Sequence, residues 1–334
     1  MAIFDTFNAV LRKAIDLNAS DIHISAGGPF RLRIRGEIVS LQGTEILKPQ
    51  DTASIAAEIL IAARKSSRET VQTLIESLTD FDCSYALPEV SRFRVNICSQ
   101  RGSLALVLRA IPFTLPDFDK LGLPPVLKEI ALEERGLVLL TGITGSGKSS
   151  TLAAMISYIN QQRAGKIVTI EDPIEFLHRD INSTVIQREL GADTESFAKA
   201  LRAALRQDPD IVLVGEMRDK ETIDIALKAA ETGHLVFSTV HTIDAPKTIS
   251  RLVSVFEAFE QFATRMRLAE TLKGVISQRL LARKDGKGRV VAVEIMRQTK
   301  TIQDCIEIRT KLRALKIIWK RVAINMGCRH STNI

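Results

Sequence analysis

The sequence predicts an α/β protein with two domains, and three observations support this prediction. The chain has 334 residues, whereas a typical domain has roughly 100 to 200. Four of its ten prolines lie within 112–125, where regular structure is disfavoured. Apolar residues alternate with polar ones before that segment, whereas after it they form short continuous runs between helical patterns. We therefore expect an α+β domain over 1–111, a linker over 112–125, an α/β domain over 126–300 and a tail over 301–334.

Composition and charge exclude several classes of protein. Hydrophobic residues make up 45% and charged residues 25% of the chain, as in globular proteins rather than disordered or fibrous ones. No apolar run reaches the roughly 18 residues of a membrane span, so we expect a cytoplasmic protein. The net charge of +7 arises from seven basic residues after Ile308, a stretch without Asp or Glu. The rest of the chain is electroneutral, which argues against a nucleic-acid partner.

The first domain is predicted to combine an initial helix with several strands. Apolar residues recur at helical spacing near the start of the chain, namely at Phe4, Phe7, Val10, Leu11, Ala14 and Ile15. Residues 31–35 then alternate in polarity, and a turn at Gly36 leads to Ile38 and Val39. Helical patterns continue through Leu78, and strands are predicted over 92–97 and 104–108.

The second domain is predicted to contain a mainly parallel sheet. Short apolar runs at 137–140, 167–170, 211–214 and 235–237 alternate with helical segments, which indicates strands covered on both faces. Each run leads into polar residues. Open α/β sheets bind ligands at the carboxyl ends of their strands, so we expect a ligand site there.

A phosphate-binding loop is the strongest motif in the chain. Residues 142–149 read GITGSGKS, which fits the pattern G-x-x-x-x-G-K-[ST] between a strand and a helix. Backbone N–H groups and the helix N-terminus would bind the phosphates of ATP, Lys148 would bridge the β and γ phosphates, and Ser149 would ligate Mg²⁺. The predicted nucleotide-binding residues are Gly142, Thr144, Gly145, Ser146, Gly147, Lys148, Ser149 and Ser150.

Hydrolysis also requires a group that orients or deprotonates water, and Glu216 is the best candidate. It follows the apolar run 211–214, while Gly215 stands where an aspartate commonly supports Mg²⁺. The acids of 171–175 follow a neighbouring strand. Among them, Glu175 is a catalytic candidate, and Asp172 is a candidate to contact the waters bound to Mg²⁺. The alternative is that these acids only cap a helix or face solvent.

Two histidines flank the run 235–237. His234 and His241 are seven residues apart, so they can lie at opposite ends of one strand. We favour His241 as a sensor of the γ phosphate. For His234, a structural role is as acceptable as a functional one.

With these motifs in order, the chain resembles the type II and type IV secretion ATPases, and within them the PilT group of pilus retraction motors. The resemblance rests on the phosphate loop, an aspartate box at 169–175, an atypical Walker B segment at 210–219 and a histidine box at 233–242. Segments 19–23, 92–96 and 108–112 resemble the N-terminal signatures of the family. The match extends over roughly residues 1 to 300.

The resemblance implies a PAS-like N-terminal domain, a RecA-like ATPase domain and a homohexameric ring. It implies a cytoplasmic motor that hydrolyses ATP, docks on an inner-membrane platform protein at the pilus base and removes pilin indirectly. Arginines of the N-terminal domain complete the nucleotide site in this family, and Arg94 and Arg109 are the candidates here. Either arginine could instead form an ion pair or face solvent.

Departures from the family pattern leave alternatives open. Ile143 stands where proline is usual, 257–260 lacks the expected proline, and the expected continuation is not found after Glu307. The basic tail contains Trp319 and either contacts anionic lipid or has no selected role. The alternatives are an accessory pilus ATPase that needs a partner motor, a RecA-like nucleic-acid translocase and a nucleotide-binding subunit without turnover.

Overall fold

The computed structural model describes residues 3–88, 90–111, 114–283 and 289–308. These residues form two compact units. The first comprises the chain up to Thr114 together with Glu175–Leu177 and Gly191–Asp193. The second comprises Leu115–Ile174, His178–Leu190 and the residues from Thr194 on.

The first unit contains three helices, and the predicted initial helix is confirmed. They are α1 (Ile3–Asp16), α2 (Pro49–Ala62) and α3 (Val71–Ser77). The buried side chains of α1 are Phe7, Val10, Leu11 and Ala14. Their spacing of three and four residues places them on one face of the helix, so α1 contributes a continuous apolar stripe to the core of this unit.

A six-stranded antiparallel sheet completes the first unit. Its strands are β1 (Asp21–Ser25), β2 (Arg31–Ile34), β3 (Glu37–Ser40), β4 (Asp80–Leu87), β5 (Ser91–Gln100) and β6 (Ser103–Ile111). Their order across the sheet is β3-β2-β1-β6-β5-β4. The strand pattern that we describe from sequence omits β1 and β4, because β1 is short and β4 carries polar residues within its apolar alternation.

The second unit is built on a seven-stranded sheet, and the predicted mainly parallel arrangement is confirmed. Its strands are β7 (Gly136–Thr141), β8 (Lys166–Glu171), β9 (Thr184–Glu189), β10 (Ile211–Glu216), β11 (Leu235–Val240), β12 (Leu272–Ala282) and β13 (Arg289–Arg297). The order is β13-β12-β7-β11-β10-β8-β9. Every neighbouring pair is parallel except β12 and β13.

Helices cover both faces of this sheet. They are α4 (Phe118–Leu121), α5 (Val126–Ala131), α6 (Lys148–Gln162), α7 (Phe197–Ala204), α8 (Lys220–Glu231), α9 (Ala245–Ser254), α10 (Gln261–Thr271) and α11 (Lys300–Glu307). Successive residues of β7 enter different cores: Leu137 and Leu139 pack with α7 to α11, whereas Val138 and Leu140 pack with α5 and α6. Burial on both faces explains the continuous apolar runs.

Within the proline-rich segment, the structure contains a short helix where we expect an irregular linker. The carboxylate of Asp117 accepts hydrogen bonds from the backbone N–H groups of Asp119 and Lys120, which starts α4. Phe118 is buried and packs edge-on against Tyr158 at a centroid distance of 5.5 Å. The prolines of this segment flank α4 rather than interrupt it. Part of the segment therefore packs in the same core of the second unit as α5 and α6.

The predicted start of the tail at residue 301 also differs from the structure. Helix α11 buries Ile302, Cys305 and Ile306 in the core of the second unit. The lipid contact predicted around Trp319 lies outside the described residues. Within the described ranges, no helix has both the length and the apolar character needed to cross a membrane.

Two phenylalanines of the second unit provide a matched test of this core. Phe237 is fully buried on β11, whereas Phe259 is 84% exposed. We expect Phe237→Ala to lower the free energy of unfolding by about 3 to 5 kcal/mol, because it opens a cavity between packed strands and helices. Phe259→Ala should change it by less than about 0.5 kcal/mol. Urea unfolding followed by circular dichroism checks this, and equal shifts for both variants would contradict the described packing.

Candidate nucleotide-binding and hydrolysis site

The predicted ligand edge of the second sheet carries a polar cleft. Parallel pairing aligns Val240 with Thr141 and Glu216 with Thr239, so the carboxyl ends of three adjacent strands meet there. The cleft has a volume of about 520 Å³. It is lined by Thr144, Glu216, Met217, Arg218, Thr239, Val240, His241 and Arg251.

The phosphate-binding motif forms the loop between β7 and α6. Gly147 precedes the first residue of α6 and has φ of 88°, a left-handed conformation that favours glycine. The chain thereby turns directly from the loop into the helix, and the unpaired N–H groups of the first turn face the loop. Such a helix start attracts phosphate through both its N–H groups and its dipole.

The remaining motif residues surround this turn. Lys148 is 7% exposed, and its Nζ donates to the carbonyl oxygens of Gly142 and Ile143 at 2.9 and 3.1 Å. The ammonium group therefore lies against the loop backbone, within reach of a phosphate bound by the loop. Of the other predicted nucleotide-binding residues, Ser146 is buried, Ser149 and Ser150 are half-buried, and Thr144 and Gly145 are exposed.

A β-bulge places Glu216 at the cleft. In the pairing of β10 with β11, Val214 aligns with Ser238 and Glu216 with Thr239, so Gly215 is the additional residue. A bulge bends the strand and redirects the next side chain. A Cβ atom at Gly215 would lie 3.1 Å from the carbonyl oxygen of Ile170, so glycine also allows β8 to approach closely.

The side chains of Arg218 and His241 contact the Glu216 carboxylate. Its Oε2 lies 2.7 Å from a guanidinium nitrogen of Arg218 and 3.5 Å from Nε2 of His241. Both contacts use the same oxygen, so Oε1 is the atom available to accept a hydrogen bond from water. The Glu216 side chain is only 18% exposed, whereas that of Arg218 is 71% exposed.

Hydroxyl groups fix the segment that carries His241. The Thr242 hydroxyl lies 2.7 Å from Oγ1 of Thr141 and 2.6 Å from Oγ1 of Thr248. These hydrogen bonds join the end of β11 to β7 and to α9. His234 lies at the other end of β11, where its Nδ1 hydrogen-bonds to the carbonyl oxygen of Ala229 at 2.9 Å. The structure thus brings His241 to Glu216 and keeps His234 at the opposite sheet edge.

The acids after β8 are less closely associated with the cleft. Glu171 accepts hydrogen bonds from Thr169 Oγ1 at 2.6 Å and from Gln187 Nε2 at 3.0 Å. Asp172 and Glu175 are exposed, and Glu175 is grouped with the first unit. Neither lines the cleft around Glu216.

The side chains around the cleft fit an Mg²⁺ ion that is bound mainly through the phosphates of a nucleotide. Among the described residues, no cluster of three or more His, Cys, Asp or Glu side chains forms a metal cage. Mg²⁺ commonly keeps several waters and binds through one or two protein groups plus phosphate oxygens. The Ser149 hydroxyl, in the first turn of α6, fits that pattern as a protein ligand.

Arg94 and Arg109 lie opposite each other on β5 and β6 of the first unit. Arg109 Nε donates to Oδ1 of Asp21 at 2.8 Å. Burial raises the pKa of Asp21, whereas the hydrogen bonds from Arg109 and Ser20 lower it. The hydrogen bonds outweigh burial, so the pKa of Asp21 is below its ordinary value. Arg94 is exposed and has no ion pair within the described part of the chain. The two candidate arginines therefore differ, since only Arg109 is held by an acid.

Sequence reasoning missed three side chains near this edge. Arg218 and Arg251 line the cleft, and Gln278 hydrogen-bonds to the phosphate loop from β12. Arg218 belongs to the segment 210–219, so a charged residue two positions after Glu216 was a usable signal. Arg251 and Gln278 carry no such signal, because they reach the site from distant helices and strands.

The chain matches known proteins over most of its length. The family model for type II/IV secretion system proteins matches residues 2–330. The limit near residue 300 given above for the resemblance is therefore wrong, since the family match continues through most of the tail.

Individual relatives agree with that match. The type IV pilus retraction ATPase PilT of Pseudomonas aeruginosa is 48% identical over 288 residues, which cover 86% of this chain and 81% of the relative. The type IV pilus ATPase PilU of the same organism is 36% identical over 317 residues, which cover 94% and 80%. A crystal structure of the pilus retraction motor PilT with bound ADP has a TM-score of 0.84 at 47% identity, covering 93% of this chain and 88% of that one.

The geometry of Glu216 leads to a test of its role. We expect Glu216→Gln to retain ATP binding but to reduce turnover by about 100-fold or more, equivalent to about 2.7 kcal/mol of activation free energy. The amide keeps the size of the side chain but is a far weaker base. Phosphate release and nucleotide binding should be measured on the same preparation.

Glu221→Gln is the matched control, because Glu221 forms a surface ion pair with Arg202 and does not line the cleft. It should leave turnover within about twofold. Undiminished turnover in Glu216→Gln would remove Glu216 from the mechanism.

Proposed function

We propose that this chain, which belongs to the type II/IV secretion system protein family and is a PilT-like pilus ATPase, is the homohexameric motor of type IV pilus retraction and twitching motility. The observation that carries the proposal is the meeting of the phosphate loop and Glu216 at one sheet edge. The relationship to PilT at 48% identity supports the retraction role.

Each functional residue of the second unit has a separate role in ATP hydrolysis. Backbone N–H groups of residues 144–149 hold the ATP phosphates, and Lys148 neutralises charge on the β and γ phosphates. The Ser149 hydroxyl would hold Mg²⁺, and the bound ion would supply positive charge to the phosphates. Glu216 Oε1 accepts the proton of the attacking water or orients it. His241, held beside Glu216, senses whether the γ phosphate is present.

Asp172 and Glu175 have subsidiary parts in this proposal. Their exposure and their position outside the Glu216 cleft favour contacts made in the assembled ring rather than proton transfer within one chain. Asp172 would contact waters bound to Mg²⁺, and Glu175 would contribute negative charge in the assembled ring. Glu216 remains the catalytic base.

An arginine of the first unit completes the nucleotide site of a neighbouring subunit. Arg94 is the better candidate, since it is exposed and has no ion pair among the described residues. A guanidinium group without an acidic partner can bind phosphate without first breaking an ion pair. Arg109, paired with Asp21, has a supporting role.

The partners follow from the family relationship. The ring docks on an inner-membrane platform protein at the cytoplasmic face of the pilus base, and it removes pilin indirectly by domain rotation. The equal number of basic and acidic residues before Ile308 argues against a nucleic-acid partner.

A second candidate is an accessory pilus ATPase that hydrolyses ATP but needs a partner motor to retract the fibre. The observation that favours it is the match to PilU, which covers 94% of this chain, against 86% for PilT.

Complementation distinguishes the two candidates. We expect the full chain to restore twitching to a strain that lacks its retraction motor but retains its pilus and its accessory ATPase. Restoration only by a chimera that carries the PilT C-terminus after Glu307 would favour the accessory role and locate the defect in the tail. Restoration by neither, with ATPase activity intact, would contradict the retraction function.

Mixing two inactive variants tests the arginine in trans. Arg94→Ala keeps Glu216, and Glu216→Gln keeps Arg94, so roughly a quarter of the interfaces in randomly mixed rings recover both groups. We expect turnover in the mixture to exceed that of either variant alone by severalfold. The parallel mixture of Arg109→Ala with Glu216→Gln should show less recovery. If mass measurements show mixed rings but turnover does not recover, Arg94 does not act across the interface.

A further inference from the structure

Gln278 connects β12 to the phosphate loop, although more than a hundred residues separate them in sequence. We infer that Gln278 is the positioning residue that orients the loop for phosphate binding and thereby sets the nucleotide affinity. The inference rests on the proposed nucleotide site, but not on the retraction role.

Both ends of the Gln278 amide are engaged. Nε2 donates to the carbonyl oxygen of Ser146 at 2.8 Å, and Oε1 accepts from Oγ1 of Thr151 at 2.9 Å. Gln278 is only 2% exposed, and Thr151 is 1% exposed. The amide therefore links the loop to the first turn of α6 where water does not compete for its hydrogen bonds.

The bond to Ser146 determines where a neighbouring N–H group points. The carbonyl of Ser146 and the N–H of Gly147 belong to one planar trans peptide, so they point in opposite directions. When Gln278 holds that carbonyl towards β12, the N–H of Gly147 points away from β12. It then joins the N–H groups that start α6, where phosphate binds.

The close approach of β12 also explains two glycines of the motif. A Cβ atom at Gly147 would lie 2.8 Å from Nε2 of Gln278, and one at Gly142 would lie 2.5 Å from the backbone oxygen of Gln278. Both distances are shorter than the closest approach that a Cβ atom makes to another heavy atom, so only glycine fits at these two positions without a shift. The loop is thus packed against this one strand residue at both of its ends.

The amide is the group that these partners require. A carbonyl oxygen needs a donor, and the Thr151 hydroxyl needs an acceptor; glutamine offers one of each. Methionine fills a similar volume but makes neither bond. Glutamate keeps the acceptor, but when ionised it places a negative oxygen against the Ser146 carbonyl.

Calorimetric titration of the full chain with ADP tests the inference. We expect Gln278→Met to weaken ADP binding by about tenfold. Ser277→Ala is the matched control, since this neighbouring hydroxyl on β12 is buried and makes no hydrogen bond to the described residues. It should bind ADP like the unsubstituted chain. An unchanged affinity in Gln278→Met would overturn the inference.

A pH series separates orientation from packing. At about pH 8, Gln278→Glu should bind ADP about 100-fold more weakly, because the carboxylate repels the Ser146 carbonyl. Burial raises the pKa of such a carboxyl group, so lowering the pH towards about 6 protonates it and restores a donor. The affinity relative to the unsubstituted chain at the same pH should then recover. A ratio that does not change with pH would contradict an orienting hydrogen bond.

Two further variants keep the possible failures apart. Lys148→Ala tests the loop itself: unchanged ADP affinity there would overturn the proposed nucleotide site. Loss of affinity in Lys148→Ala but not in Gln278→Met would overturn only the role of Gln278. If Gln278→Met does not fold, Thr151→Val decides, because it removes the bond to Oε1 and leaves Gln278 in place. It should weaken ADP binding by roughly threefold, and unchanged affinity would overturn the inference.

Discussion

Parallel pairing of the central strands is the constraint on which the second unit depends. It aligns Thr141 with Val240 and Thr239 with Glu216, so residues that follow different strands meet at one edge. The strand interiors are apolar because helices cover both faces, and polar groups accumulate where the strands end. A buried sheet and a polar cleft are thus two consequences of the same arrangement.

Two local departures from regular structure turn this edge into a site. The loop after β7 is bent at glycines and leads into α6, and the bulge in β10 redirects Glu216. Hydrogen bonds from neighbouring elements hold each departure: Gln278 supports the loop, and the Thr239 hydroxyl donates to the Gly215 carbonyl at 2.6 Å. The site therefore owes its geometry to residues outside the motif as much as to the motif itself.

Local patterns were enough to predict four of the parallel strands (β7, β8, β10 and β11), the loop between β7 and α6, and the placement of His241, because strand periodicity and strand ends are properties of short segments. Strands β9 and β12 were not predicted. Helix α4 was not predicted, since the capping by Asp117 competes with the neighbouring prolines and the outcome depends on burial of Phe118. Gln278 could not be found either. Its role arises from a contact between β12 and a loop 132 residues away, and no local pattern records such a contact.

Gly215 bears on which acidic side chains this sheet edge accommodates. A Cβ atom there would lie 3.1 Å from the Ile170 carbonyl oxygen, so a larger residue would require the main chain of β8 to give by a few tenths of an ångström. An aspartate at position 215, where many phosphate-loop enzymes carry one, would therefore widen the spacing between β10 and β8. The bulge thus favours an acid one position later, where the Glu216 side chain leaves the crowded strand pair.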